Sequence, residues 1–295
     1  MNITEEIKQS FKYGSMLTKI IYINLAVFVI VRLLEVVYLL FNIGEASQFP
    51  LLLWLAVPAD LNELLYKPWT VFTYMFLHHD FLHILFNLLW FYWFGKIFLQ
   101  YLTEKQLLSV YILGGISGAV LYILAFNLFP LFEPYLQNSI ALGASAAVLA
   151  IVVSISFYVP NYTLNLMFIG PVKLKYIALI SIVIDVLSIA GANAGGHIAH
   201  LGGAIFGYLF ISQYKTGKEL SVDFDKFFKN IGAFFKPKPK IKVTYKKPKT
   251  DFEYNAEKAK KQEEIDRILD KIAKAGYESL SKQEKEILFN LGNKK

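Results

Sequence analysis

Ser145 stands in Gly-Ala-Ser-Ala, near the start of an apolar run over about 140–158. His200 stands in Ala-His-Leu-Gly-Gly, at the start of another run over about 197–213. A serine hydroxyl becomes a nucleophile when a neighbouring imidazole takes its proton, so this pair is the smallest set that supports acyl transfer. Polar groups at membrane depth are costly and concentrate at functional positions. The pair therefore predicts hydrolytic chemistry carried out inside a lipid bilayer. A third apolar run carries His83 and Asn87, whose spacing of four places both on one helix face.

The elements that must position these residues are membrane helices. The chain has 295 residues, of which 55% are hydrophobic, too apolar for an ordinary soluble domain. Run length predicts six spans, at 18–40, 82–102, 105–128, 140–158, 174–191 and 197–213. Each is about 17–23 residues, enough for a hydrocarbon core of about 30 Å. The absence of cysteine excludes disulfides, thiol catalysis and cysteine–metal sites. Acidic residues precede the first apolar run, so that run is expected to persist as a helix and not as a signal peptide. Thr103-Glu-Lys-Gln106 reads as a capping box opening the third span, and Pro160 and Pro171 bracket the loop after the fourth.

Lysines fix the expected orientation. Lys8, Lys12 and Lys19 flank the first span, Lys96 and Lys105 the second connection, and Lys173 and Lys175 the loop after span four. The opposite side has only Lys67. Of the 30 Lys and Arg residues, 21 follow Gln213. The positive-inside rule then puts both termini in the cytoplasm, with the basic tail beside anionic lipid and not on nucleic acid. Spans two, four and six run from outside to inside. His83, Asn87, Ser145 and His200 all lie early in them, within about 10 Å of the outer surface. Scattered structural residues have no reason to share one depth.

Two segments lie outside this frame. Residues 49–58, with Trp54 as an anchor, are too short to span and too apolar for water; they are expected in the membrane interface or on the flank of the bundle. The tail divides into a Pro/Lys-rich linker over 214–250 and a helical hairpin over 251–295. The linker includes Lys236-Pro-Lys-Pro-Lys240. In the hairpin, apolar spacing marks a helix over 262–274, Gly276 ends it, and Ser281-Lys-Gln-Glu284 caps a second helix through Leu288.

His83-x-x-x-Asn87, Gly143-Ala-Ser145 and His200-x-x-Gly203-x-x-x-Gly207 are each weak alone. In this order, on spans two, four and six, they resemble the rhomboid family of intramembrane serine proteases over roughly residues 68–210. The tail is similar to a short extension of some bacterial rhomboids. The resemblance implies an all-α membrane protein: residues 1–17 cytoplasmic, a six-helix domain over 18–213, then a soluble helical tail. It implies Ser145 as nucleophile and His200 as general base. His83, Asn87 and the Ser145 amide would donate to the oxyanion, with Gly143, His78 and His197 as accessory positions. His200 is chosen over His197 because only His200 has glycines at +3 and +7. No metal or cofactor is implied. The expected partners are transmembrane substrates and the bilayer of a bacterial cytoplasmic membrane.

Each residue has a plainer alternative. Serine in a membrane helix commonly bonds its own i−4 carbonyl, Gly-x-x-x-Gly commonly packs helices, and His and Asn can satisfy each other. A rhomboid-like pseudoprotease that binds clients without cutting would have lost Ser145 or His200. A transporter would show inverted repeats and deep charges in several spans. Two positions depart from the family pattern: Ala146 where glycine is common, and Leu149 where an aromatic ring often stacks on the histidine. His200 then needs another contact to orient it. Asp185 in span five is a candidate third member of the site, although the family works as a Ser–His dyad. Arg32 and Glu35, three apart in span one, read as a structural ion pair.

Overall fold

This computed structural model describes residues 2–46, 49–166, 169–218, 220–222 and 250–292. The chain separates into two compact units, 1–231 and 232–295. Most of the predicted linker, including its Lys-Pro repeats, lies outside the described residues.

The first unit is helical. A short amphipathic helix, α1 (Ile3–Tyr13), ends at Gly14, and Ser15 caps α2 (Met16–Leu40) by accepting from the Thr18 amide. Loop 1, the segment between the first two predicted spans, holds α3 (Pro50–Leu55), α4 (Leu61–Tyr66) and α5 (Thr70–Thr73). Then come α6 (Phe81–Tyr101), α7 (Glu104–Leu128), α8 (Ser145–Tyr158), α9 (Leu174–Ser188) and α10 (Ala194–Lys215). Four of these, α2, α6, α7 and α10, are long and apolar enough to cross a membrane. The other two predicted spans are helices of 14 and 15 residues.

The shortness of α8 corrects the predicted 140–158 run. Residues 140–144 are not helical. Ile140–Ala141 is a strand, β2, paired antiparallel with β1 (Val57–Pro58), and Gly143 adopts φ +135. Only glycine takes that conformation without strain, so the helix starts at Ser145. Asn193 caps α10 by accepting from the Gly196 amide, which draws 194–196 into the helix and out of the predicted loop. The loop bracketed by prolines carries an antiparallel hairpin, β3 (Thr163–Leu166) with β4 (Gly170–Lys173), with Pro171 inside it. The Thr103–Gln106 capping box forms with both of its hydrogen bonds.

α8 is the axis of this unit. Residues 146–156 are all buried, as expected for a helix apolar on every side. Small residues let its neighbours approach to backbone contact. A Cβ placed on Gly203 of α10 would lie 2.0 Å from the Ala146 carbonyl oxygen, and one on Gly207 would lie 2.3 Å from that of Ala150. On α7, a Cβ at Gly118 would lie 2.6 Å from the Ala146 Cβ. Ala146 thus fits because the opposing residue has no side chain. Interhelical hydrogen bonds reinforce the contact: Ser154 Oγ donates to the Gly207 carbonyl and Ser117 Oγ to that of Gly202, each at 2.9 Å. Large apolar side chains along α2 and α9 remain exposed, including Val29, Ile30, Leu33, Ile180, Ile184 and Leu187. This is a lipid-facing surface.

Loop 1 packs on the bundle. Phe49, Ala56 and Leu77 form a small core with Val31 of α2. The Thr73 hydroxyl donates to the Leu55 carbonyl at 2.7 Å. Trp54 stacks on Trp69 at 5.6 Å and keeps half its surface exposed.

The tail unit, by itself, is the expected hairpin with an earlier start. Its first helix spans Asp251–Ala275 because Thr250 and Glu253 form a capping box that apolar spacing does not reveal. Gly276, at φ 75, ends it. The Ser281–Glu284 box opens Lys282–Gly292. Among the described residues of this unit, Ile268 and Leu280 are the buried apolar ones.

The α8–α10 contact gives a direct expectation. Gly203→Ala should destabilise the bundle by about 1–3 kcal/mol, the range for overpacking, because the new methyl meets backbone that cannot rotate away. Reversible unfolding in detergent measures this, and an unchanged unfolding midpoint would contradict the packing described.

Candidate active site

Ser145, His83, Asn87 and His200 line one cavity of about 890 Å³, together with Arg32, Glu35, Asp80, Asn193 and Gly196. Three separate helices deliver the four residues singled out by motif. A second, apolar cavity of about 220 Å³ lies between α6 and α9. Phe86, Trp90, Leu149 and Ser181 line it, and it shares Asn87, Ser145 and His200 with the first. Ser145 is therefore reached from two sides.

Ser145 is the first residue of α8. The first amides of a helix lack intrahelical acceptors and carry the positive end of its dipole. Gly143 precedes it in the left-handed region, held by its amide donating to the Tyr74 carbonyl at 3.0 Å. A Cβ on Gly143 would sit 3.1 Å from His83 Nε2 and 3.5 Å from Ser145 Oγ. Glycine thus keeps open a small space between the hydroxyl and the His83 ring, facing the helix N-terminus.

His83 is fixed from both ends. Asp80 caps α6 by accepting from the His83 amide at 2.8 Å, and this hydrogen bond holds the exposed Asp80 carboxyl below the usual range. His83 Nδ1 accepts a long hydrogen bond, 3.4 Å, from the His79 amide. An accepting Nδ1 in a neutral ring leaves the hydrogen on Nε2, and Nε2 borders the space that Gly143 keeps open. Asn87 donates one amide hydrogen to the His83 carbonyl at 2.8 Å, leaving its second for the cavity. His78 packs edge-on against His83 with ring centroids 5.2 Å apart. It is buried, makes no protein hydrogen bond through its ring, and is pushed down to about 3 by burial, with His83 adding to the effect. It is a neutral packing partner and not a member of the cavity wall.

His200 is held by Asp185 of α9. One carboxylate oxygen of Asp185 lies 2.8 Å from His200 Nδ1 and 2.8 Å from His197 Nδ1. An ionised carboxylate only accepts, so both rings carry their hydrogen on Nδ1 and present a lone pair at Nε2. Leu149 lies beside His200 in the apolar cavity, and no aromatic ring stacks there. The hydrogen bond to Asp185 is the orienting contact that the leucine cannot supply. The Ser145 hydroxyl and the His200 ring share the cavity wall without a direct hydrogen bond, a looseness common in hydrolytic sites with no substrate bound. Arg32 and Glu35 do form an ion pair, and it lines this cavity.

The two histidines that share the cavity with Ser145 are thus assigned opposite tautomers, His83 with its hydrogen on Nε2 and His200 with its hydrogen on Nδ1. Nitrogen-15 NMR of imidazole-labelled protein should find hydrogen on Nδ1 of His200 and His197 and on Nε2 of His83. In Asp185→Asn the preference of His200 and His197 should be lost. Hydrogen on Nε2 of His200 in the unaltered protein would contradict the arrangement.

Comparison with known proteins places the chain in a family. The family model of the rhomboid domain matches residues 66–214, and that of a family of unknown function (DUF6576) matches 249–294. RHOMBOID-like protein 12, mitochondrial, from Arabidopsis thaliana is 30% identical over 158 residues, 50% of this chain and 47% of the plant protein. Rhomboid protease GlpG from Klebsiella pneumoniae is 33% identical over 72 residues, 24% of this chain and 26% of its own. The same-named protease from Salmonella typhi is 34% identical over 87 residues, 29% and 30% of the two chains. The matched stretches span about half or less of these relatives. With a rhomboid domain over half its length and four helices able to cross a membrane, this chain is a multi-pass membrane protein of the rhomboid family.

Proposed function

We propose that this protein is an intramembrane serine endopeptidase that cuts transmembrane segments of other membrane proteins near the outer face of a bacterial cytoplasmic membrane. The observation that carries the reading is the Asp185–His200 hydrogen bond. It leaves a lone pair on His200 Nε2 in the cavity that also holds the Ser145 hydroxyl.

The residues divide the work by their hydrogens. His200 Nε2 takes the Ser145 proton as the oxygen attacks the scissile carbonyl, and later gives it to the leaving amine. Asp185 holds the ring in the accepting tautomer and balances the imidazolium that forms, which extends the family dyad to a Ser–His–Asp set. The tetrahedral oxyanion occupies the space beside Gly143. There it meets His83 Nε2–H, the free amide hydrogen of Asn87 and the Ser145 N–H at the start of α8. Donors fixed in advance in a site shielded from water stabilise that charge far more than mobile water does.

The two cavities suit the two substrates. α6 and α9 both border the apolar cavity, and α9 packs chiefly on α8 and α10. A substrate helix reaches Ser145 sideways from lipid between α6 and α9, and water arrives through the larger polar cavity. The segment cut should be rich in Gly, Ala or Ser, because an intact helix hides its carbonyls and must unwind locally. Both termini face the cytoplasm, in line with the lysine distribution.

Ser145→Ala and His200→Ala should each abolish cleavage of a transmembrane reporter by folded protein. Asp185→Asn should lower kcat by more than about tenfold, because the amide no longer selects the accepting tautomer. Asn87→Ala should lower kcat by about 10²-fold or somewhat less, the scale for losing one oxyanion donor. An unchanged kcat with a raised KM would assign Asn87 to substrate binding instead.

Sideways access has its own check. A disulfide joining the outer ends of α6 and α9 should block cleavage of a full membrane substrate, and reduction should restore it. Undiminished cleavage with the crosslink verified closed would rule out this route.

A further inference from the structure

The cluster of Asp185, His197 and His200 contains more donor atoms than hydrolysis uses. We infer that it is a binding site for a divalent cation of the zinc class, and that the bound ion switches the protease off by capturing the His200 nitrogen that otherwise bonds Asp185. The inference rests on the reading of His200 as the general base.

One carboxylate oxygen and one ring nitrogen from each histidine lie within 4.8 Å of one another. Among the described residues no other three His, Asp or Glu side chains come together this way. His197 and His200 are about one turn apart on α10, and Asp185 faces them from α9. Two imidazoles and a carboxylate form a donor set that suits zinc and leaves a fourth, tetrahedral position for water. Donors around a zinc ion with bonds of about 2.0–2.1 Å stand about 3.3 Å apart. The nitrogens are now 2.8 Å from the Asp185 oxygen, about half an ångström short of that spacing, and all three donors lie within 4.8 Å, so side-chain rotation must bring them round one ion. The two rings lie nearly perpendicular, with centroids 5.8 Å apart, and do not stack across that space. Both histidines are partly exposed, at 22% and 23%. His200 and Gly196 border the large polar cavity, which gives a hydrated ion a way in.

The consequence for catalysis follows from the tautomers. A metal at Nδ1 needs the lone pair of that nitrogen. The hydrogen there moves through water to Nε2 of the same ring, so each imidazole stays neutral and no proton is released overall. His200 Nε2 then carries hydrogen and has no lone pair for the Ser145 proton. The ion thus silences the site without touching Ser145, and removing it restores the accepting tautomer. His197 is the informative position, because it is a ligand in this proposal and has no place in the proton transfers of hydrolysis.

Two measurements on the full-length protein in lipid vesicles test this, each variant being compared with its own metal-free rate. Zinc chloride should inhibit cleavage by unaltered protein at least about tenfold, and a chelator should restore the rate. His197→Gln should need about tenfold more zinc, or above, for half-inhibition, on the scale seen when metal-site residues are changed. Separately, cobalt(II) added to Ser145→Ala should give the intense visible absorption of a tetrahedral ion. The double variant Ser145→Ala/His197→Gln should lose it. The cobalt measurement needs no turnover, so tetrahedral absorption in a chain that never cleaves would support the metal site and reject the hydrolytic reading. Insensitivity to zinc, equal sensitivity of His197→Gln, or an octahedral cobalt spectrum in Ser145→Ala would overturn the proposal.

Discussion

The distance between α8 and α10 is the constraint on which this site depends. Gly203 and Gly207 bring the α10 backbone against the carbonyls of Ala146 and Ala150. Lipid offers no hydrophobic drive for two apolar helices to associate. Close packing of small residues and interhelical hydrogen bonds must do it, and the Ser154–Gly207 bond is one of those. The contact also sets register. Ala146 directly follows Ser145, and Gly203 lies about one turn beyond His200. The same glycine that fixes the helix spacing therefore also sets the register of Ser145 against His200. Ala146, where the family often has glycine, is accommodated because α7 offers Gly118 opposite it.

A second constraint orders the protons. Ser145 shares its cavity with two imidazoles, His83 and His200, which the proposed hydrolysis requires to do opposite things, one giving a hydrogen bond and one taking a proton. Their ring atoms are identical, so the difference must come from what each Nδ1 meets. His83 Nδ1 meets a backbone N–H and accepts. His200 Nδ1 meets a carboxylate and donates. The helix that starts at Ser145, and the glycine that permits that start, add the backbone donor.

Much of this was legible from residue order. The motifs singled out Ser145, His200, His83 and Asn87, which line one cavity, and hydropathy located α2, α6 and α7 to within a residue or two of their ends. The Thr103–Gln106 box was readable because capping is a local signal. Other features were not local. Asp185 sits 15 residues before His200 on a different helix, and a lone carboxylate in an apolar run has no period to reveal its partner. The start of α8 depends on a backbone angle at Gly143 that hydropathy does not register, so residues 140–144 read as helix. The hairpin at 163–173 and the two-residue pairing of 57–58 with 140–141 are too short to show alternation. In the tail, the apolar residues of 251–261 (Phe252, Tyr254, Ala256 and Ala259) form no helical stripe, and only the Thr250–Glu253 box marked the true helix start.

If His200 makes Ser145 nucleophilic, as proposed, the Ser145 hydroxyl should react with serine-directed reagents. Phosphonylation by a fluorophosphonate reagent, mapped by mass spectrometry on the lipid-embedded protein, reads this most directly because it needs no knowledge of the substrate. The account predicts one adduct, on Ser145, that forms with the unaltered protein and is lost in folded His200→Ala. Equal labelling of Ser145 without His200, or an adduct confined to another residue, would contradict it.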